Sequence, residues 1–267
     1  VIPVALGQPY FFRDGGGIQM EYCLSNKAEI EAVDDSAITE KLNYVSEALK
    51  LTKKSIGNNQ ALLGFCGSPW TLACYMIDGG SSQNFLRTSE FAKRNPKEFF
   101  LLMEKLSRSI IQYLNMQIDA GVDCVQIFDS WASICTPSNY HSLSLQWIKT
   151  IITGLKKPIP VILYAKGMNH CLKEQLKTGA QILSLDWTIS LNNASAETNN
   201  QCALQGNLDP EFLTTDSSTV KEEAERILKI SESLKGYIFN LGHGMLPTAK
   251  IECVETLIET VTNYRYG

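Results

Sequence analysis

Arginine is scarce in this sequence, six residues in 267, and the formal net charge is −4. Proteins that grip a nucleic-acid backbone cluster Lys and Arg on one face, so nucleic acid is not an expected partner. Long apolar runs are missing too. Ser, Thr, Asn or Gly interrupts each uncharged stretch before the roughly 18–20 apolar residues that a spanning helix needs, so no membrane role is expected. The chain opens Val1-Ile2-Pro3, with neither an initiator Met nor the basic n-region and cleavage pattern of a secretory signal. No C-x-x-C pair occurs among the eight cysteines, several of which lie in apolar runs; reduced core thiols in a cytoplasmic protein are the expectation. His170-Cys171 has no second Cys or His at ligand spacing, so no metal site is expected there. No G-x-G-x-x-G follows a strand pattern, which removes the dinucleotide-binding reading.

What is present is a chain of 44% hydrophobic and 19% charged residues, enough for one soluble domain over residues 1–267 with a large core. From residue 62 onward, short apolar runs alternate with helical patterns, the signature of a parallel α/β protein. Strands are predicted at 62–68, 124–130, 160–166, 182–188, 202–208 and 237–243. Asn95-Pro96 opens a helix in which Phe99, Met103, Leu106, Ile110, Leu114 and Ile118 recur at helical spacing until Gly121. Further helices are predicted from Thr136-Pro137 to about Gly154, from near Val220 to Leu234, and from near Thr248 to the end. The first 60 residues differ: a glycine turn at Gly15-Gly16-Gly17, then a helix through Leu42, Val45 and Leu49 to Gly57. Six βα units fall short of a closed barrel. The expected fold is therefore α/β, a (β/α)8 TIM barrel whose first one to two βα units precede Val1, making 1–267 one N-terminally incomplete barrel domain.

In such a barrel the C-terminal strand ends form the active-site face. Here they are polar or aromatic: Phe65-Cys66-Gly67-Ser68, Phe128-Asp129-Ser130, Tyr164-Ala165-Lys166-Gly167, Asp186-Trp187-Thr188, Gly206-Asn207-Leu208-Asp209 and Asn240-Leu241-Gly242-His243-Gly244. His243 lies between two glycines, where the backbone lets a ligand approach closely and imidazole can donate or shuttle a proton. Ser130 has no neighbouring His-Asp pair to activate it, so it reads as a hydrogen-bond donor to ligand or as a turn serine. Lys166 stands where a Schiff-base lysine could, although an ion-paired lysine is commoner. Asp209-Pro210 reads as a helix-start cap. Asp186 stays open between a carboxylate with a chemical task and a structural one.

Assembled, these strand ends resemble the uroporphyrinogen decarboxylase family. The matching stretches are Gly64-Phe65-Cys66-Gly67-Ser68-Pro69-Trp70-Thr71-Leu72 with Tyr75-Met76, Gln126-Ile127-Phe128-Asp129-Ser130-Trp131, Leu185-Asp186-Trp187-Thr188, Ala203-Leu204-Gln205-Gly206-Asn207-Leu208-Asp209-Pro210 and Phe239-Asn240-Leu241-Gly242-His243-Gly244. Five motifs in family order across five strand ends are far more specific than any one of them. The resemblance implies a cytoplasmic lyase, usually a homodimer, that turns the four acetate side chains of uroporphyrinogen III into the methyls of coproporphyrinogen III in haem and porphyrin biosynthesis. It implies no cofactor, because a protonated pyrrole ring is itself the electron sink. It assigns Tyr75, Ser130 and His243 to the substrate's carboxylates or ring system, with Phe65 and Phe128 as pocket walls. The family's pyrrole-holding aspartate and its arginine motif fall upstream of the segment that matches Val1, so no catalytic residue is assigned within this chain. An octa-anionic substrate on an acidic protein demands local cations, and Lys166 is the one Lys or Arg within the six strand-end motifs.

Two other readings compete. Zinc or corrinoid methyltransferases share the fold but carry H-x-C-G at the fifth strand end, where this chain reads Tyr164-Ala165-Lys166-Gly167. A catalytically dead tetrapyrrole-binding protein is the second.

Overall fold

The structure is a computed structural model that describes residues 1–13, 17–57, 60–82 and 84–265. Gly15 and Gly16 of the expected glycine turn lie outside the described residues. The chain gathers into two compact units, Val1–Val161 and Ile162–Gly267.

In the first unit, β1 (Tyr10–Phe12) and β2 (Ile18–Met20) form an antiparallel pair that hydropathy alone does not announce. Then β3 (Leu63–Gly67) pairs in parallel with β4 (Cys124–Asp129), joined by helices that include Pro69–Asp78, Leu86–Arg94 and Pro96–Asp119. In the second unit, β5 (Val161–Ala165) starts at the unit boundary and pairs in parallel, in chain order, with β6 (Ile182–Ser184), β7 (Ala203–Leu208) and β8 (Tyr237–Leu241). Helices Leu172–Leu176, Leu191–Glu197, Ser217–Ser231 and Ile251–Asn263 follow these four strands in turn. All six predicted strands are present, and their βα succession is that of the (β/α)8 class. β4 to β7 are buried almost throughout, which is why they read as continuous apolar runs rather than as alternating ones.

Local chemistry sets the helix boundaries. Ser68 accepts the Thr71 N–H at 3.0 Å and Pro69 follows at the first helical position, so the chain leaves β3 directly into a capped helix. That helix ends at Gly79, in left-handed conformation at φ 84°. Pro96 opens the 24-residue helix to Asp119, whose Phe99, Leu102, Met103, Leu106, Ile110, Leu114 and Ile118 are all buried along one stripe. Ser190 and Asp216 cap two helices of the second unit, accepting from Asn193 and Thr219 N–H groups. The segment predicted to run helically from Thr136 instead makes a wider turn of π type over His141–Leu145 before the α-helix Gln146–Thr153. All eight cysteines are free thiols and all but Cys23 are buried, as expected of core residues. Among the described residues no helix is long and apolar enough to cross a membrane.

One glycine of β3 is a packing requirement. The side-chain amide of Gln117 passes over Gly64 to accept the Phe65 N–H and donate to the Phe65 carbonyl, both at 3.0 Å. A Cβ at Gly64 would sit 2.7 Å from Gln117 Oε1 and 3.2 Å from Val122 Cγ2. Gly64→Ala therefore has to break the amide pair. An expected loss of about 1–3 kcal/mol would appear as a lower urea midpoint with an unchanged m-value.

Candidate active site

At the strand ends of the first unit, Phe65 and Phe128 meet edge to face, their ring centroids 6.0 Å apart. Phe65, the central residue of β3, is 61% exposed, unusual for a phenylalanine ring in a parallel strand, and Phe128 is half-buried. Tyr75 projects from the helix that Ser68 caps, with its ring against Phe85 at 6.1 Å and Trp131 at 6.0 Å. Trp131 follows Ser130 directly, packs on Phe85 at 4.6 Å, and takes the Trp70 indole N–H on its carbonyl oxygen at 2.9 Å. Tyr75 and Ser130 are both half-buried, and neither hydroxyl has a protein hydrogen-bond partner among the described residues. Two hydroxyls beside two aromatic surfaces are thus available to a ligand with an apolar body and polar arms.

Beneath Ser130 lies Asp129, fully buried. One of its oxygens accepts the Ser68 hydroxyl at 2.6 Å and the Thr71 hydroxyl at 3.4 Å; the other accepts the Ser144 hydroxyl at 2.7 Å. Burial pushes its carboxyl above the usual range, and the hydroxyls of Ser144, Ser68, Tyr140 and Thr71 pull against that. Asp129 thus ties the cap of the Tyr75 helix to the end of β4, and the π turn supplies Ser144.

In the second unit the strand ends form another cluster. The Tyr164 hydroxyl donates to the Gly242 carbonyl and meets His243 Nδ1, each at 3.1 Å. The two rings stack with 14° between their planes and 6.1 Å between centroids. Lys166 Nζ reaches His243 Nε2 at 3.5 Å. Burial and the Lys166 ammonium, in that order, hold His243 below the usual histidine range, while Asp186 pulls weakly the other way. Asp186 is itself fully engaged: it accepts from Gly167 N–H at 2.8 Å, from the Asn169 side-chain amide at 2.5 Å, and from the N–H and hydroxyl of Thr188 at 2.9 and 2.5 Å. The open question over Asp186 is answered by geometry, since a carboxylate carrying four donors is a clamp on the loops after β5 and β6. Asp209 caps the short helix Pro210–Thr214, as read from Asp209-Pro210. His170 is exposed and Cys171 buried, and among the described residues no group of three or more His, Cys, Asp or Glu could hold a metal ion.

Residues 1–264 match the family model described as uroporphyrinogen decarboxylase (URO-D). The chain belongs to the uroporphyrinogen decarboxylase family. It is 38% identical over 268 residues to the uroporphyrinogen decarboxylase of Ruthia magnifica, covering 98% of this chain and 77% of that protein. The enzyme so named from Pseudomonas aeruginosa is 39% identical over 251 residues, 92% of this chain and 71% of its own length. Among solved structures, a methyltransferase from Methanosarcina mazei superposes with a TM-score of 0.78 over 97% of this chain and 76% of that one. Its 18% identity makes this a likeness of fold alone.

Three features of this uroporphyrinogen decarboxylase family member are not announced by residue type or spacing: Asp129 as a hub, the Trp131 and Phe85 rings around Tyr75, and Tyr164 against His243. Only the last is traceable in the sequence, where the predicted strand 160–166 puts Tyr164 two residues before Lys166 and so on the same face; the observed β5 ends at Ala165.

Proposed function

We propose that the chain is a carboxy-lyase that decarboxylates uroporphyrinogen III at its four acetate side chains, giving coproporphyrinogen III for haem and porphyrin biosynthesis. Family membership over residues 1–264 carries this reading. The strand-end chemistry supports it. Tyr75 and Ser130 offer hydroxyls without protein partners among the described residues, and His243 offers an imidazole at a loop reachable from solvent. These three take the substrate's carboxylates or pyrrole ring system. Phe65 and Phe128 wall the pocket against the macrocycle. The reaction needs no metal or organic cofactor, because protonating an electron-rich pyrrole carbon lets the ring accept the electron pair released with carbon dioxide; protonation of the resulting methylene makes each methyl, and loss of the proton first added to the ring carbon restores the pyrrole, one proton being consumed per carbon dioxide released. The enzyme acts in the cytoplasm as a homodimer.

Turnover of uroporphyrinogen III with chromatography of the partly decarboxylated products tests the reading. His243→Asn and Tyr75→Phe are each expected to slow it ten- to a hundredfold, the effect of removing one hydrogen bond to a charged group worth about 1.5–3 kcal/mol, with unchanged thermal unfolding. If both variants remove all four carboxyl groups at the wild-type rate, the site assignment is wrong.

A further inference from the structure

Lys166 is half-buried at the end of β5 and makes no ion pair among the described residues, although Asp186 lies in the next loop. The Asp186 oxygens take the Gly167, Asn169 and Thr188 donors instead, one on Oδ2 and three on Oδ1. The ammonium points at His243 Nε2. An ammonium carries three donors and no acceptor, so any hydrogen bond here runs from Lys166 to the Nε2 lone pair. That leaves the ring's one proton on Nδ1, which faces the Tyr164 oxygen. The Tyr164 hydroxyl already donates to the Gly242 carbonyl, so its lone pairs can receive Nδ1–H. Three contacts thus agree on one direction of donation: Lys166 to His243, His243 to Tyr164, Tyr164 to Gly242.

We propose that Lys166 is a carboxylate-receiving residue of this site and that Lys166 and Tyr164 act as positioning residues, holding His243 as the neutral Nδ1–H tautomer. The carboxylate role rests on the substrate reading above; the positioning role rests on the geometry alone. One ammonium proton goes to the imidazole and two remain for an anionic oxygen. A carboxylate arriving at Lys166 would offset its charge beside Nε2, so the imidazole becomes easier to protonate when an acidic side chain is bound than when the site is empty.

The groups that face His243 are Lys166 and Tyr164 from the end of β5 and Asp186 from the loop after β6. Nitrogen-15 NMR can follow it directly, since the chain has three histidines and His243→Asn identifies its signal. The Nδ1–H tautomer is expected in wild type. Lys166→Met removes the neighbouring cation and should raise the imidazole titration midpoint, while Lys166→Arg keeps the charge and the lower midpoint. Tyr164→Phe should mix the tautomers. An Nε2–H tautomer in wild type, or an unmoved midpoint in Lys166→Met, overturns the positioning role. A second measurement follows binding of uroporphyrin, the oxidised octacarboxylate ring, by absorbance. Lys166→Met should bind about ten- to a hundredfold more weakly than wild type, and Lys166→Arg should recover most of that loss. Equal binding by Lys166→Met overturns the carboxylate role. If wild type itself fails to bind uroporphyrin, the substrate reading and the carboxylate role fall together, and the NMR result still decides the tautomer.

Discussion

Asp129→Ala is expected to lower stability by about 2–4 kcal/mol, the largest single loss anticipated in the first unit. The change removes the acceptor of the buried Ser68, Thr71, Ser144 and Tyr140 hydroxyls and opens a cavity where solvent does not reach. An orphaned buried donor costs about 1–3 kcal/mol, partly offset here because a buried charge leaves with the carboxylate. Asp129→Asn separates the two effects. Hydroxyls can turn to accept from an amide, so the isosteric variant should lose much less than Asp129→Ala.

The pH dependence has a definite sign. Burial raises the carboxyl's folded-state pKa above the usual range, so the fold favours the protonated form. Its contribution is complete below the unfolded carboxylate value and is lost as pH rises through the raised folded value. Chemical denaturation at a series of pH values should show wild-type stability declining across that window and a flatter profile for Asp129→Asn. A wild-type profile with the opposite slope there would mean that the hydroxyls outweigh desolvation. Because Ser68 also caps the helix that carries Tyr75, Asp129→Ala should slow turnover in addition to destabilising the fold.

How far the sequence reaches can be judged from individual elements. Of the six parallel strands, β4 to β7 are legible because strands buried on both faces write themselves as apolar runs bounded by Gly, Pro and Asn, whereas β3 and β8 alternate between more and less buried residues. The 24-residue helix was legible from Asn95-Pro96 and its apolar spacing. β6 is shorter than the predicted 182–188 because Asp186 turns inward to take Asn169 and Thr188, a contact that no strand periodicity announces. The β1 and β2 pair is not legible in the sequence, since three-residue strands with exposed Phe11 and Phe12 carry no clear alternation. Ser130 stands out in the sequence and its neighbour Asp129 does not, for a physical reason: the Ser68, Thr71 and Ser144 hydroxyls that engage Asp129 lie 61, 58 and 15 residues away along the chain. Residue type and spacing draw attention to a polar side chain at a strand end. They hide one that is satisfied entirely from distant segments.

Gly242→Ala is expected to remove most activity while Gly244→Ala leaves it intact, although the two glycines flank the same histidine. Neither has a positive φ, so backbone freedom is not what separates them. The difference is space. A Cβ on Gly242 would lie 2.7 Å from the Trp187 backbone nitrogen, 3.0 Å from Trp187 Cε3 and 3.1 Å from the Asp186 carbonyl carbon; a Cβ on Gly244 meets nothing within 4 Å. Two of the three atoms facing Gly242 belong to backbone fixed by the Asp186 clamp, so the chain after β8 must move instead. That movement strains the 2.7 Å bond from Gly242 N–H to the Leu208 carbonyl and the Tyr164 bond to the Gly242 carbonyl. Overpacking of this kind costs about 1–3 kcal/mol of stability. The effect on function is larger, because displacing a positioned group by an ångström can lower a rate about a hundredfold. Steady-state turnover of the two variants beside their thermal unfolding decides the matter. Loss of activity in Gly242→Ala with Gly244→Ala at wild-type level is the expected result, and equal activities would show that the placement of His243 does not depend on how closely Gly242 packs against Trp187.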